Sequence, residues 1–420
     1  MNIKKVVGVL LALGVTASIA GCASSAAPSS GGAGSTAGGG EPIKIGVLED
    51  QSGDFSRVGI QKFHAVNLAV DEINAAGGIL GRQVEIVAPD TQSDNTKYQE
   101  MAKKLILQDK VDVIMGCYSS ASREAVRPII EENNALLFYN NQYEGGVASH
   151  NVFCTGAIPE HQITTLMEAM IEMYGPKVYT IAADYNFGQI SADWVAKTVK
   201  ENGGEMVGEE FIPLEVSQFS STISKIQAAQ PDVLVTLLVG AAQSSFYEQW
   251  STAGIKGLPM ATTVNIAQGY EHKLFKPPAL ANMYVTATYV EELDSPASND
   301  FKTRWHAKYP EEPYIGMEAE AEYTGVYLWK TAVEQAGTTE VEAVIDALET
   351  GTSYDGPAGK VTIDGATHHA IRDVYLIKCD EEHNISFEKK WDAILPDWLS
   401  KEKGVDLTKE APNVQYTPID

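Results

Sequence analysis

The chain has 420 residues, 44% of them hydrophobic and 21% charged, with a formal net charge of −25 at pH 7. That length and composition support a large globular core, and the acidity argues against nucleic acid and anionic lipid as direct partners. Apart from Cys22, the cysteines are Cys117, Cys154 and Cys379, which allow at most one disulfide and are expected as buried thiols.

Met1 to Lys5 carries two lysines, and the run from Val6 to Ala20 has no charge. It is too short to span a bilayer comfortably and reads as the apolar region of a secretory signal. Ala20 and Gly21 directly before Cys22 give the pattern of a bacterial lipoprotein cleavage site, with lipid expected on Cys22. Residues 23–40 are only Ala, Ser, Pro, Gly and Thr, a linker with a reach of about 20–25 Å. The expected location is therefore the extracytoplasmic face of a cell membrane, held by a lipid anchor.

Strand and helix signals then alternate. Ile43–Leu48 reads as a strand, and 60–75 as a helix with apolar Phe63, Val66, Val70 and Ile73 at helical spacing. Gly77-Gly78 stops it. Strands at 84–88, 111–115 and 136–139 alternate with helices at 97–108 and 122–132. A second series runs from helix 161–174 through strand 177–182, helix 190–202, strand 205–212, helix 219–229, strand 233–238 and helix 242–253 to a short strand at 260–263. Such alternation predicts parallel sheets covered on both faces, here two doubly wound α/β lobes with ligand loops at the carboxyl ends of the strands. Further on, a strand at 284–289, helices at 297–309, 317–335 and 341–348, and strands at 360–363, 372–378 and 385–391 complete the chain. Hinges are expected near 156–159, 281–289 and 354–361.

Catalytic signatures are weak. No GxSxG, HExxH or P-loop pattern occurs. His368-His369 lacks partners at metal-ligand spacing and reads as a surface pair. Glu318, Glu320 and Glu322 alternate within a helix and are expected to splay around it.

One group of segments carries a resemblance. These are Gly116-Cys117-Tyr118-Ser119-Ser120-Ala121-Ser122-Arg123, Leu137-Phe138-Tyr139 and Tyr143-Glu144-Gly145. Ile73-Asn74-Ala75-Ala76-Gly77-Gly78, Ala183-Asp184-Tyr185, Pro231-Asp232-Val233 and Gly356-Pro357-Ala358-Gly359, with Asp364 and His368-His369, support them. Over 43–391 the chain resembles the urea- and short-chain-amide-binding branch of the type I periplasmic binding proteins, a group that includes the branched-chain amino acid binders. The resemblance implies two lobes joined by a three-stranded hinge that close on a small polar solute. It also implies an ABC importer's permease and ATPase subunits as partners, no cofactor, no metal and no catalysis. The implied division is a signal over 1–21, lipidated Cys22 and linker over 22–40, a first lobe over 41–157 plus 287–353, a second over 158–286 plus 354–395, and a tail over 396–420.

Carried over residue by residue, Tyr118, Ser119 and Ser120 face the solute from the first lobe, beside Tyr139, Asn140, Asn141 and Gln142. Tyr185, Phe187 and Thr263 come from the second. Hydroxyls and free N–H groups at a helix start suit a carbonyl or carboxylate oxygen, although a serine there also serves as a helix cap. Close urea and amide binders have a proline where this chain has Asn140, and the Thr262-Thr263-Val264-Asn265 loop lacks the acidic residues expected there. The many neutral donors and acceptors favour urea or a short amide, with branched-chain or other amino acids as runner-up. A ligand-sensing subunit of a signalling system is the rival role.

Overall fold

The computed structural model describes residues 40–410 and 412–419; the expected signal, Cys22 and almost all of the linker lie outside them. The first series of elements is β1 (Ile43–Leu48), α1 (Ser56–Ala75), β2 (Val84–Val87), α2 (Asn95–Lys104), β3 (Val113–Gly116), α3 (Ser120–Glu132), β4 (Leu137–Tyr139), β5 (Val147–Ala148) and β6 (Val152–Cys154). Local chemistry sets several boundaries. The Asp94 side chain accepts from the Thr96 and Lys97 N–H groups and caps α2. Gly77 and Gly78 follow α1 with φ of 109° and 82°, where a side chain would be strained.

The second series is α4 (Thr165–Tyr174), β7 (Lys177–Ala183), α5 (Asn186–Glu201), β8 (Glu205–Ile212), α6 (Ser220–Ala229), β9 (Val233–Leu237), α7 (Gly240–Thr252), β10 (Met260–Thr262) and β11 (Met283–Ala287). Then come α8 (Pro296–Lys308), α9 (Met317–Ala336), α10 (Val341–Glu349), β12 (Ser353–Gly356), β13 (Gly359–Asp364), β14 (His369–Cys379), β15 (Ile385–Ile394), α11 (Trp398–Glu402) and β16 (Val414–Gln415).

The strands order as β2-β1-β3-β4-β6 in a first half-sheet and β11-β10-β9-β7-β8 in a second, parallel throughout each half. The architecture is thus the α/β, doubly wound one expected from the alternation. β14 joins the halves. Its first residue pairs with Cys154 of β6, whereas Ala287 to Met283 of β11 pair antiparallel with Tyr375 to Cys379. After β11 the chain returns to the first half, where α9 packs on α1 and buries Val326 and Trp329 with Val66, Val70 and Ile73. The expected hinge at 354–361 is instead the β12–β13 hairpin, in which Gly356 pairs with Gly359 across a Pro357-Ala358 turn. The crossing falls later, along β14.

Because every parallel strand points the same way within its half, the loops after β3, β4, β7, β9 and β10 gather at the carboxyl edges. There the two halves face each other.

Candidate functional site

One cavity lies where these loops meet. From the first half, the β3–α3 turn supplies Tyr118, Ser119 and Ser120, and the loop after β4 supplies Asn141 and Gln142. From the second, the start of α5 supplies Tyr185 and Phe187, the start of α7 supplies Val239, and the loop after β10 supplies Val264 and Gln268. They close around a small space of about 10 Å³. Tyr118, Val239 and Gln268 also border a larger outer chamber of about 800 Å³. The Gln268 Nε2 donates to Tyr118 Oη at 3.0 Å, a hydrogen bond that joins the two halves between the chambers.

The backbone is unusual where it delivers these side chains. Cys117, Asn265 and Ala267 have φ of 72°, 81° and 65°, and each neighbours a lining residue. Left-handed non-glycine residues cost of order 1–3 kcal/mol and gather at functional sites. Lys62 Nζ donates to the Cys117 carbonyl at 3.1 Å and helps to hold that turn.

The lining has a polar end and an apolar end. At the polar end, α3 begins, and the first N–H groups of a helix have no intrahelical acceptor. Ser122 Oγ accepts from the Ser119 N–H at 3.0 Å, so Ser122 does the local capping. Ser120 Oγ donates to Glu144, which also takes Arg123 Nη2 at 2.8 Å. Both members of that ion pair are buried, and Arg123 lies over the rings of Tyr139 and Tyr143. Asn141 Nδ2 donates to the Gln142 carbonyl at 2.9 Å, but its Oδ1 has no partner among the described residues. Both polar atoms of the Gln142 side chain are likewise buried and unpartnered. Each such group costs about 1–3 kcal/mol, so a fold that keeps them beside a cavity keeps them for something that enters it.

At the apolar end, Phe187, Val239 and Val264 form a small hydrophobic cluster with Ala183 and Tyr185. Burial pushes the phenols of Tyr118 and Tyr185 well up, so both remain neutral hydroxyls. No lining side chain of the inner cavity is ionic. Helices α3, α5 and α7 all begin at this cavity, and three positive dipole ends favour negative charge there.

Three expected site residues stand behind the lining. Tyr139 is fully buried under Arg123. Asn140 Oδ1 accepts from Thr155 Oγ1, and its side chain lies so close to Gly325 of α9 that any Cβ there would meet it at 2.4 Å. Thr263 is buried and outside the lining, with its Oγ1 unpartnered. Val239, Val264 and Gln268 are not among the residues expected from sequence; Val239, an apolar residue just before a helix, carries no polar signal.

Two sequence expectations need correction. His368 and His369 are buried, not a surface pair: His368 Nε2 bonds Glu349 at 3.0 Å and its ring stacks on Phe153, while His369 bonds the Thr367 carbonyl at 2.7 Å. Burial holds His369 down at about 4, so it is neutral. Nor do the α9 glutamates simply splay. Glu318 and Glu322, one turn apart, both face Lys62, while Glu320 pairs with Arg372. Among the described residues no group of His, Cys, Asp or Glu could hold a metal ion, and Cys117, Cys154 and Cys379 are buried free thiols.

Two parallel half-sheets that meet at their carboxyl edges around a small, neutral, two-ended cavity define a two-lobed solute-binding protein. The chain belongs to the periplasmic binding protein family, whose model matches residues 42–384. Among curated relatives, Leu/Ile/Val-binding protein homolog 6 of Brucella abortus is 22% identical over 343 residues, covering 80% of this chain and 86% of that one. Homolog 7 of Brucella suis is 25% identical over 376 residues, with 84% and 88% covered. A solute binding protein of an ABC transporter from Rhodopseudomonas palustris HaA2, solved with p-hydroxybenzoic acid, superposes with a TM-score of 0.76 at 22% identity. That match covers 86% of this chain and 100% of the other. The branched-chain amino acid transporter substrate binding protein LivJ of Streptococcus pneumoniae, solved with isoleucine, gives 0.70 at 22% identity, with 83% and 98% covered. Members of this family bind solutes and do not transform them; the chain is not an enzyme.

Proposed function

We propose that this chain is the extracytoplasmic solute-binding component of an ABC importer, capturing a small carboxylate with a compact apolar body. The observation that carries this reading is the two-ended cavity. Three helix starts and the unpartnered Gln142 Nε2 donor suit a carboxylate, the unpartnered Asn141 Oδ1 and Gln142 Oε1 suit an N–H such as an ammonium, and Tyr185, Phe187, Val239 and Val264 suit a hydrocarbon or ring. The lobes close over the solute and present it to a permease, while lipid on Cys22 keeps the protein at the membrane. The named ligands of similar proteins point the same way: branched-chain amino acids and hydroxybenzoates are carboxylates with apolar bodies. Urea and short amides, the first choice from sequence, draw no support from these relatives and leave the apolar end unused. The amino acid alternative therefore moves ahead of them, alongside simple aromatic acids.

A thermal-shift panel tests the reading. Benzoate, 4-hydroxybenzoate, valine, leucine, isoleucine, urea and acetamide are each titrated against the mature chain. At least one carboxylate is expected to raise Tm by several degrees, because ligand at about 100 Kd adds about 2.7 kcal/mol. Stabilisation by urea or acetamide and by none of the carboxylates overturns it.

A further inference from the structure

Behind the cavity wall, three carboxyl groups share one ammonium group. Glu49 at the mouth of β1, Glu318 and Glu322 of α9, and Lys62 of α1 are all buried. Lys62 Nζ lies 2.6 Å from Glu49 and 3.4 Å from Glu322. Glu318 is engaged differently. The backbone N–H of Gln142 donates to its Oε1 and Oε2 at 3.2 and 3.1 Å. The N–H of Glu318 itself donates to the Gln268 carbonyl at 3.3 Å. One residue thus grips a lining loop from each half of the molecule, and one of those loops carries the unpartnered Gln142 amide.

We propose that Glu318 is the positioning residue of this solute loop: it aims the Asn141–Gln142 amides into the cavity, and its charge state resets them.

The groups that face Glu318 are Lys62 from α1, Arg372 from β14, Glu322 along α9 and the Tyr118 phenol from the β3–α3 turn. Arg372 is committed to the Thr155 carbonyl at 2.9 Å and to Glu320, and Lys62 chiefly to Glu49. Fully ionised, the cluster would bury three negative charges against one lysine, which a dry interior does not sustain. Burial raises all three carboxyls, Glu49 well above its ordinary value, Glu322 upward and Glu318 up to about 8, so protons are held within the cluster and Glu318 titrates just above neutral pH. Protonated, Glu318 is a neutral acceptor behind a neutral wall. Ionised, it becomes a stronger acceptor for the Gln142 N–H and a negative charge directly behind the polar end. A carboxylate solute then meets like charge. This consequence for affinity rests on the carboxylate reading above; the effect on the loop does not.

The test separates the two. In the full mature chain without solute, the Gln142 amide proton shift is followed by NMR from about pH 6 to about pH 10, a range that brackets the midpoint and stays below lysine titration. In wild type it should move once, with a midpoint of about 8. Glu318→Gln keeps an acceptor, so its curve should be flat and its amide exchange slow. Glu318→Ala should exchange at least about tenfold faster at Gln142. A flat wild-type curve, or a titration that survives in Glu318→Gln, overturns the proposal; if the alanine variant fails to fold, the other pair decides alone. Calorimetry with isoleucine and 4-hydroxybenzoate forms the second arm. Wild-type affinity should fall about tenfold between about pH 7 and about pH 9 and stay level in Glu318→Gln. No binding of either at any pH, with the titration intact, supports Glu318 and overturns the carboxylate reading. Binding that ignores pH in wild type overturns the charge-state role.

Discussion

Gln142 and Asn141 hold polar atoms that the fold itself leaves unpaired, and this gives them opposite signs for stability and for binding. Replacing Gln142 by leucine keeps much of the shape and removes two buried, unpartnered atoms. Gln142→Leu should gain about 1 kcal/mol or more in a urea melt without solute and lose at least about tenfold in solute affinity. Arg123 behaves differently because it neutralises Glu144, the carboxylate that holds Ser120 Oγ. Arg123→Ala strands a buried charge and should cost about 3–5 kcal/mol in the same melt. Glu318 adds a pH dependence. Its native carboxyl at about 8 lies above the unfolded 4.5. The native chain thus holds a proton between those values that the unfolded chain has released. Its contribution is full below pH 4.5 and is lost as pH rises through about 8, at up to about 1.4 kcal/mol per unit. Glu318→Gln should remove that slope from urea midpoints compared across pH.

At the level of elements, the apolar period located the body of each helix but missed the first turns that matter most. The apolar period places the starts of α3, α5 and α7 at Ser122, Ile190 and Ala242, whereas they begin at Ser120, Asn186 and Gly240. Their first turns face the cavity, so Ser120, Phe187 and Gly240 carry no core-facing period to read. Tyr118, Ser119, Asn141 and Tyr185 come from the resemblance, and strand–turn–helix order brings them to one cavity at the carboxyl edges; that they hold solute is the proposal. The buried Lys62–Glu49–Glu322 group was not, since charged residues read as solvent-facing until a second helix covers them. Nor was the tail, which lies beyond the family match. Trp398 of α11 packs edge-on against Trp194 of α5, with ring centroids 4.7 Å apart. Val414 and Gln415 of β16 pair with β5, and Gln415 Nε2 reaches Glu144 at 2.6 Å. The tail therefore leans on both halves. Trp398→Ala should cost about 3–5 kcal/mol if the tail unfolds with the body; detachment alone would show as limited proteolysis after Ile394 with an unchanged main transition.

Three features act together in the whole molecule: a parallel half-sheet on each side, a crossing strand shared by both, and a cavity lined from both halves. Among the described residues no helix is long and apolar enough to cross a membrane, and the attachment proposed above is lipid on Cys22. Cys22→Ala should move the protein from the membrane to the soluble fraction while leaving solute affinity unchanged; retention on the membrane would remove lipid from the account. The central claim is capture by closure on a small carboxylate. Small-angle scattering of the mature chain, titrated with whichever carboxylate raises its Tm, tests this most directly. The radius of gyration should shrink and saturate at one solute per chain, with the solute recovered unaltered. Saturable binding with no change in dimensions, or recovery of a chemically altered solute, would contradict it.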